Sequence, residues 1–230
     1  MTILPDFREV WSEDDFGGAA MFFPLAGLLV GGLSGTLYFL LAKILSRSVA
    51  AALTLIAWIA LTGALHWDGV ADCLDGFSYA GTPEKRFSIM KDPHHGTFAT
   101  IGVCCALILK AALISAVSPE KAIPLFALIS ALARWGLLLM LHFPLANPNG
   151  MAAALTKNCP VWTPLPALIF PLLPILFLNF SVLLLFIPAV LVPFGIVLIA
   201  RNKIGGINGD VMGLTIEAIE IVLLLFGVLL

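Results

Sequence analysis

The sequence predicts an all-α integral membrane protein: a polytopic bundle of about seven transmembrane helices with an acidic helix-loop segment on the cytoplasmic side. Three observations predict it. Of 230 residues, 60% are hydrophobic and 11% charged, with a mean hydropathy of +1.06. Soluble domains carry roughly 25% charged and about 45–50% apolar residues, so this chain cannot cover a water-facing surface. Uncharged runs recur at the length of about 20 residues that a spanning helix needs. The polar residues gather in a few segments between those runs. Disorder is excluded by the high hydrophobicity. A net charge of −2, without a basic stripe, excludes a nucleic-acid binder. Residues 1–230 read as one transmembrane domain.

Residues 22–42 form the first expected span. Gly27, Gly31 and Gly35 recur along it every four residues, a small-residue ridge that lets helices pack closely in lipid. Residues 49–65 are the second span. Residues 97–119 are the third, interrupted by Lys110, and 122–143 the fourth, interrupted by Arg134 and His142. Residues 161–200 hold two more, turning near Asn179. Their prolines (Pro164, Pro166, Pro171, Pro174, Pro188, Pro193) remove backbone donors and predict kinked or re-entrant helices. Residues 211–230 are the last, carrying Glu217 and Glu220. The first 19 residues are acidic (Asp6, Glu9, Glu13, Asp14, Asp15) and do not form a signal peptide. Cys73, Cys104, Cys105 and Cys159 give neither a disulfide framework nor metal-site spacing.

Seven spans place Arg8, Lys85, Arg86, Lys91, Lys157, Arg201 and Lys203 on the side of the N-terminus, and Lys43, Arg47 and Lys121 on the other. The positive-inside rule makes the first side cytoplasmic. The expected location is the cell's inner (cytoplasmic) membrane, with the chemistry facing the cytoplasm. The long polar segments 66–97, 144–160 and 201–210 fall on that side.

Segment 66–97 carries the densest chemistry. Asp68, Asp72 and Asp75 stand at i, i+4 and i+7, which share one helical face. The second span runs directly into them, so the same helix is expected to continue past the membrane surface. Stacked carboxylates repel, and a divalent cation removes that repulsion. Mg²⁺ typically uses one or two carboxylates plus substrate phosphates. The bland alternative is a solvated, capped helix end. Gly69 and Gly76 lower helix propensity by about 1 kcal/mol each and admit a phosphate or a neighbouring helix. Lys85, Arg86, Lys91, His94 and His95 follow. They read as phosphate clamps or as exposed salt bridges of little worth. Asp92-Pro93 should end a helix that begins near Pro83. His66 precedes the acids and either points at the same site or packs.

Segment 201–210, with Gly205, Gly206 and Gly209, is a second site loop. Asp210, Glu217 and Glu220 lie near one face of the following helix. An ionisable group in a span is a functional-site hypothesis by default. The alternative is buried pairing of Glu217 or Glu220 with Lys110 or Arg134, or snorkelling of the two cations to an interface.

The run HWDGVADCLDG, then IMKDPHHGTFA, ALARW and GGINGDVMGLTIEAIE, resembles the cobalamin synthase family, and FFPLAGLLVGGLSG is similar to that family's first span. The resemblance implies an Mg²⁺-dependent adenosylcobinamide-GDP ribazoletransferase. There the hydroxyl of α-ribazole (or its 5′-phosphate) attacks the cobinamide-linked phosphorus of adenosylcobinamide-GDP and expels GMP. It places the family's His-x-Asp-Gly-x-x-Asp-x-x-Asp-Gly element on His66, Asp68, Gly69, Asp72, Asp75 and Gly76. Its remaining elements fall on Lys91-Asp92, Gly209-Asp210 and the pair Glu217 and Glu220. The implied catalytic residues are Asp68, Asp72, Asp75 and Asp92, with Asp68, Asp72 and Asp75 as metal ligands. The implied substrate contacts are His66, Lys85, Arg86, Lys91, Asp210, Glu217 and Glu220. The family usually has an arginine near His94, which this chain lacks. The expected partners are the two substrates and the lipid bilayer; a homo-oligomer is compatible with the chain.

Two other readings compete. A CDP-alcohol phosphotransferase shares the clustered aspartates, but its Ala-Arg pair is missing, with Ala71-Asp72 in its place. A cation- or proton-coupled transporter would use Glu217, Glu220 and Lys110 as a relay, but no inverted repeat is visible.

Overall fold

Small residues and prolines decide how this chain folds, because in lipid the helices cannot rely on hydrophobic burial to attract one another. The computed structural model describes residues 18–148, 151–157 and 159–230. Arg8 and the acidic first residues lie outside the described residues. The described chain is helical, and its isolated bridge pairs Leu145 with Ile207.

Helix α1 spans Ala20–Leu41. Gly27, Gly31 and Gly35 press it onto α6, Pro119–Met140. A methyl group at any of the three would strike the α6 backbone, at Ser130, Phe126 and Ala122 respectively. The α6 helix is the hub of the bundle, with Phe126 and Leu128 through Ala133 wholly or almost wholly buried. The α2 helix covers Arg47–Leu61 and α3 covers Leu65–Ser78. Next come α4, Pro83–Met90, and α5, Thr97–Ala116. A short helix, α7, covers Met151–Lys157. A run of short helical pieces, α8, covers Pro164–Phe177, followed by α9, Phe180–Ile204, and α10, Gly209–Leu229.

Among the described residues five helices are long and apolar enough to cross a membrane, or six if the bent pair α2 and α3 counts as one span. The expected count of about seven spans becomes five or six, and the reasons are local. The second span does not run on into the acidic segment. Gly63 and Ala64 take left-handed backbone angles, φ 62° and φ 57°, and α3 leaves α2 at 92°. The proline run yields one span, α9, preceded by the broken α8. It extends from Pro164, whose carbonyl accepts from Trp135 Nε1 at 2.9 Å, to a hollow shared by Phe177, Asn179, Lys121 and Leu230. Asn179 marks the turn, as expected. The helix from Pro83 ends at Met90, before Asp92-Pro93.

Lys110 and Arg134 do not snorkel: both are 0% exposed. Cys73, Cys104, Cys105 and Cys159 are all free thiols.

A candidate active site between two glycine-notched helices

Helices α3 and α10 run antiparallel in close contact, because a glycine on each removes the side chain that would separate them. A Cβ at Gly69 would stand 2.7 Å from the carbonyl oxygen of Asp210, and one at Gly213 would stand 3.1 Å from that of His66. Gly76 is likewise filled by Met90 of α4. The two glycines of the acidic segment therefore serve neighbouring helices.

The notch at Gly69 brings Asp210 beside the acids of α3. The charges of Asp68, Asp75 and Asp210 all bear on Asp72 as like charges, and His95 opposes them with Nδ1 3.9 Å from Asp72 Oδ1. Lys91 offsets Asp210 while its ammonium lies 4.4 Å from the centre of the Phe87 ring. Asp68 is exposed; Asp72, Asp75 and Asp210 are half-buried. Asp210 is held from its own helix start. Asn208 caps α10 by accepting from the Val211 N–H at 2.9 Å, and donates from Nδ2 to Asp210 Oδ2 at 2.8 Å. The sequence reading passed over Asn208, although Asn two residues before Asp at a helix start is a capping signal.

The three acids of α3 are not equivalent. Asp75 faces the start of α5, where its carboxylate accepts from the N–H groups of Gly96 at 2.5 Å and Ala99 at 2.9 Å. A negative charge there satisfies orphan donors and favours the helix dipole. Its oxygens are committed to tying α3 to α5, which leaves Asp68, Asp72 and Asp210 with free oxygens. Among the described residues no three His, Cys, Asp or Glu side chains close into a metal cage. Hard, crowded, incompletely balanced carboxylates are nonetheless the donor type that Mg²⁺ takes when phosphates supply its remaining ligands.

The expected clamps also divide. Lys85 is exposed. Arg86 spends its donors on backbone carbonyls: Nε on Tyr79 at 3.0 Å and Nη1 on Lys203 at 3.2 Å. Lys203 Nζ in turn donates to the Phe77 carbonyl at 2.8 Å. These bonds lash the end of α9 to the ends of α3 and α4. Asp92 is in the exposed loop, where the N–H and ring of His94, each at 2.9 Å, hold its carboxyl below the ordinary aspartate range.

His66, Glu217 and Glu220 lie deeper. His66 is buried with Nδ1 3.5 Å from Glu217 Oε1, turned to α10. Lys110 Nζ donates to Glu217 Oε2 at 2.6 Å and Glu220 Oε2 at 2.5 Å. Glu220 Oε1 also accepts from Arg134 Nη1 at 2.8 Å and Ser130 Oγ at 3.0 Å. Trp58 and Trp67 place ring centres 4.9 and 5.6 Å from the Lys110 ammonium. Both acids thus stand in buried ion pairs, one of the two arrangements the sequence leaves open for Glu217 and Glu220. Removing one partner of such a pair typically costs about 3–5 kcal/mol, because a charge is left buried alone.

Comparison with known proteins follows the same residues. Residues 1–228 match the family described as cobalamin-5-phosphate synthase. A relative from Ralstonia pickettii, named adenosylcobinamide-GDP ribazoletransferase, is 34% identical over 231 residues, covering 95% of this chain and 87% of that protein. Relatives of the same name from Acetivibrio thermocellus and Brucella ovis are 32% and 37% identical. They cover 94% and 88% of this chain, and 89% and 82% of their own lengths. No solved structure matches.

Proposed function

The chain belongs to the cobalamin-5-phosphate synthase family and is an enzyme of the adenosylcobinamide-GDP ribazoletransferase type, and we propose that group transfer takes place at the acidic crease where α3 packs on α10. The observation that carries this site is the Gly69 notch, which brings Asp210 against the helix bearing Asp68 and Asp72. Asp68, Asp72 and Asp210 meet there, with Lys91 offsetting Asp210 and His95 facing Asp72. A diphosphate substrate would supply the charges for those cations, and a bound Mg²⁺ would offset the carboxylate repulsion.

In the reaction the hydroxyl oxygen of α-ribazole (or its 5′-phosphate) forms a bond to the cobinamide-linked phosphorus. The bond from that phosphorus to the bridging oxygen breaks, and GMP leaves with the bond's electron pair. Asp68 and Asp210 are the residues that would hold Mg²⁺, which would supply charge neutralisation on the diphosphate and the leaving group. Of the acids that could accept the hydroxyl proton, Asp92 is ill suited, because His94 stabilises its ionised form. Asp72 is the acceptor we assign: like charges surround it, and taking up a proton relieves them. Lys91 and His95 stand where they can bind phosphate oxygens. The segments 66–97 and 201–210 together make the site, and by charge distribution that end of the bundle faces the cytoplasm of the inner membrane.

The purified chain in lipid nanodiscs should release GMP and form the ribazole-linked cobamide from adenosylcobinamide-GDP, α-ribazole and Mg²⁺. Chelation should stop it and restored Mg²⁺ should restart it. Product formation unaffected by exhaustive chelation would remove the metal from this reading; ion uptake without group transfer would favour a transporter.

A further inference from the structure

The buried ion network joins four helices, through Lys110 of α5, Arg134 of α6, Glu217 and Glu220 of α10 and His66 of α3. Lys110 of α5 reaches both acids of α10, and Glu217 then faces His66 of α3. His66 is 6% exposed, and its Nδ1 has no hydrogen-bond partner among the described residues. Contacts between α3 and α10 follow in order along the pair. Glu217 meets His66, Gly213 meets the His66 backbone, and Gly69 meets the Asp210 backbone. Asp68 lies on α3 between these contacts and Asp72 just beyond them. Across the left-handed α2–α3 corner the backbone bonds are local, Ala64 N–H to the Ile59 carbonyl at 3.1 Å and Leu65 N–H to the Thr62 carbonyl at 3.4 Å, and no side chain caps α3. Glu217 and Lys110 both meet this buried start of α3, Glu217 at His66 and Lys110 at Trp67, whose ring centre is 5.6 Å from the ammonium, and with the glycine notches they fix how α3 sits on α10.

We propose that Lys110 and Glu217 are positioning residues for the transfer. They hold the buried end of α3 against α10 so that Asp68 and Asp72 face Asp210, and they never touch substrate. This rests on the reading of the crease given above, and it differs from a substrate-contact role for Glu217.

The test uses the full chain in nanodiscs, with thermal unfolding and steady-state kinetics for both substrates. Lys110→Met or Glu217→Gln alone unbalances the buried charges and should lower the unfolding temperature. The double variant restores the balance with Glu220 still facing Arg134, and its unfolding temperature should return to within a few degrees of the parent. Its kcat should stay at least tenfold down, with KM for adenosylcobinamide-GDP within threefold of the parent. Recovery of kcat along with stability would overturn the proposal, as would a raised KM at unchanged kcat, which marks substrate contact. Should the double variant not fold, Glu217→Asp keeps the charge and draws it back by one methylene. It should lower kcat at constant KM, and parent kcat would overturn the proposal. Asp72→Asn is run beside them. If it turns over at the parent rate, the crease reading has failed. If it is inactive while the double variant works normally, only the positioning role has failed.

Discussion

Gly69→Ala isolates the geometry of the crease, because it adds one methyl group and removes no charge. A Cβ there stands 2.7 Å from the Asp210 carbonyl oxygen and 2.9 Å from its Cα. Both are backbone atoms, so neither can rotate aside. Ordinary contact begins near 3.4 Å, so α3 and α10 must part by roughly 0.7 Å at the point where Asp210 meets the α3 acids. Overpacking of this kind typically costs about 1–3 kcal/mol, which a bundle with a buried hub survives. Misplacing reacting groups by about 1 Å can cost about 10²-fold in rate. The expected result is a folded protein whose kcat for GMP release falls about 10- to 100-fold. Parent kcat in a folded Gly69→Ala variant would refute the claim that Asp210 and the α3 acids act together.

Asp75→Asn keeps one acceptor oxygen but loses the charge at the start of α5. It should lower the unfolding temperature, at a cost of about 1 kcal/mol, and retain measurable turnover; complete inactivation of a folded protein would return Asp75 to the reacting groups. Gly31→Ala drives a methyl into the Phe126 carbonyl and should destabilise by about 1–3 kcal/mol, read as a lower unfolding temperature in detergent with KM unchanged. The Asp92–His94 tie has a depressed folded carboxyl pKa. Its stabilisation is present above the unfolded aspartate value and is lost as pH falls through the lower folded value. Asp92 is thus ionised throughout the neutral range, and Asp92→Asn should leave the shape of the kcat profile between about pH 6 and 8 unchanged; a displaced acid limb would show Asp92 taking part in proton transfer.

Hydrophobic runs and small-residue spacing told most of the fold. The glycine ridge of α1 and the helix at Pro83 were readable because each has a local physical cause, close packing in one case and proline's ring in the other. The corner between α2 and α3 was not. Thr-Gly-Ala names only one residue suited to positive φ, yet Ala64 as well as Gly63 takes it, at φ 57°. The acids at i, i+4 and i+7 were legible as one face. Their division of labour was not, since Asp75 is drawn away by the N–H groups of Gly96 and Ala99, 21 and 24 residues further along the chain. Nor can sequence tell a phosphate clamp from a lashing cation. Arg86 looks like the former and acts as the latter because the end of α9 lies beside it. Glu217 and Glu220 illustrate the same limit: their partners come from α5 and α6, and only tertiary structure chooses between Lys110 and Arg134.

The most direct measurement compares GMP release by the parent with that by Asp72→Asn and Asp210→Asn, each in nanodiscs with both substrates at saturation, after thermal unfolding has shown the variants folded. The account predicts that each isosteric loss of charge, on two different helices, lowers kcat by at least 10²-fold. Parent-like release by either folded variant would mean that the α3–α10 crease is not where the phosphoryl group is transferred.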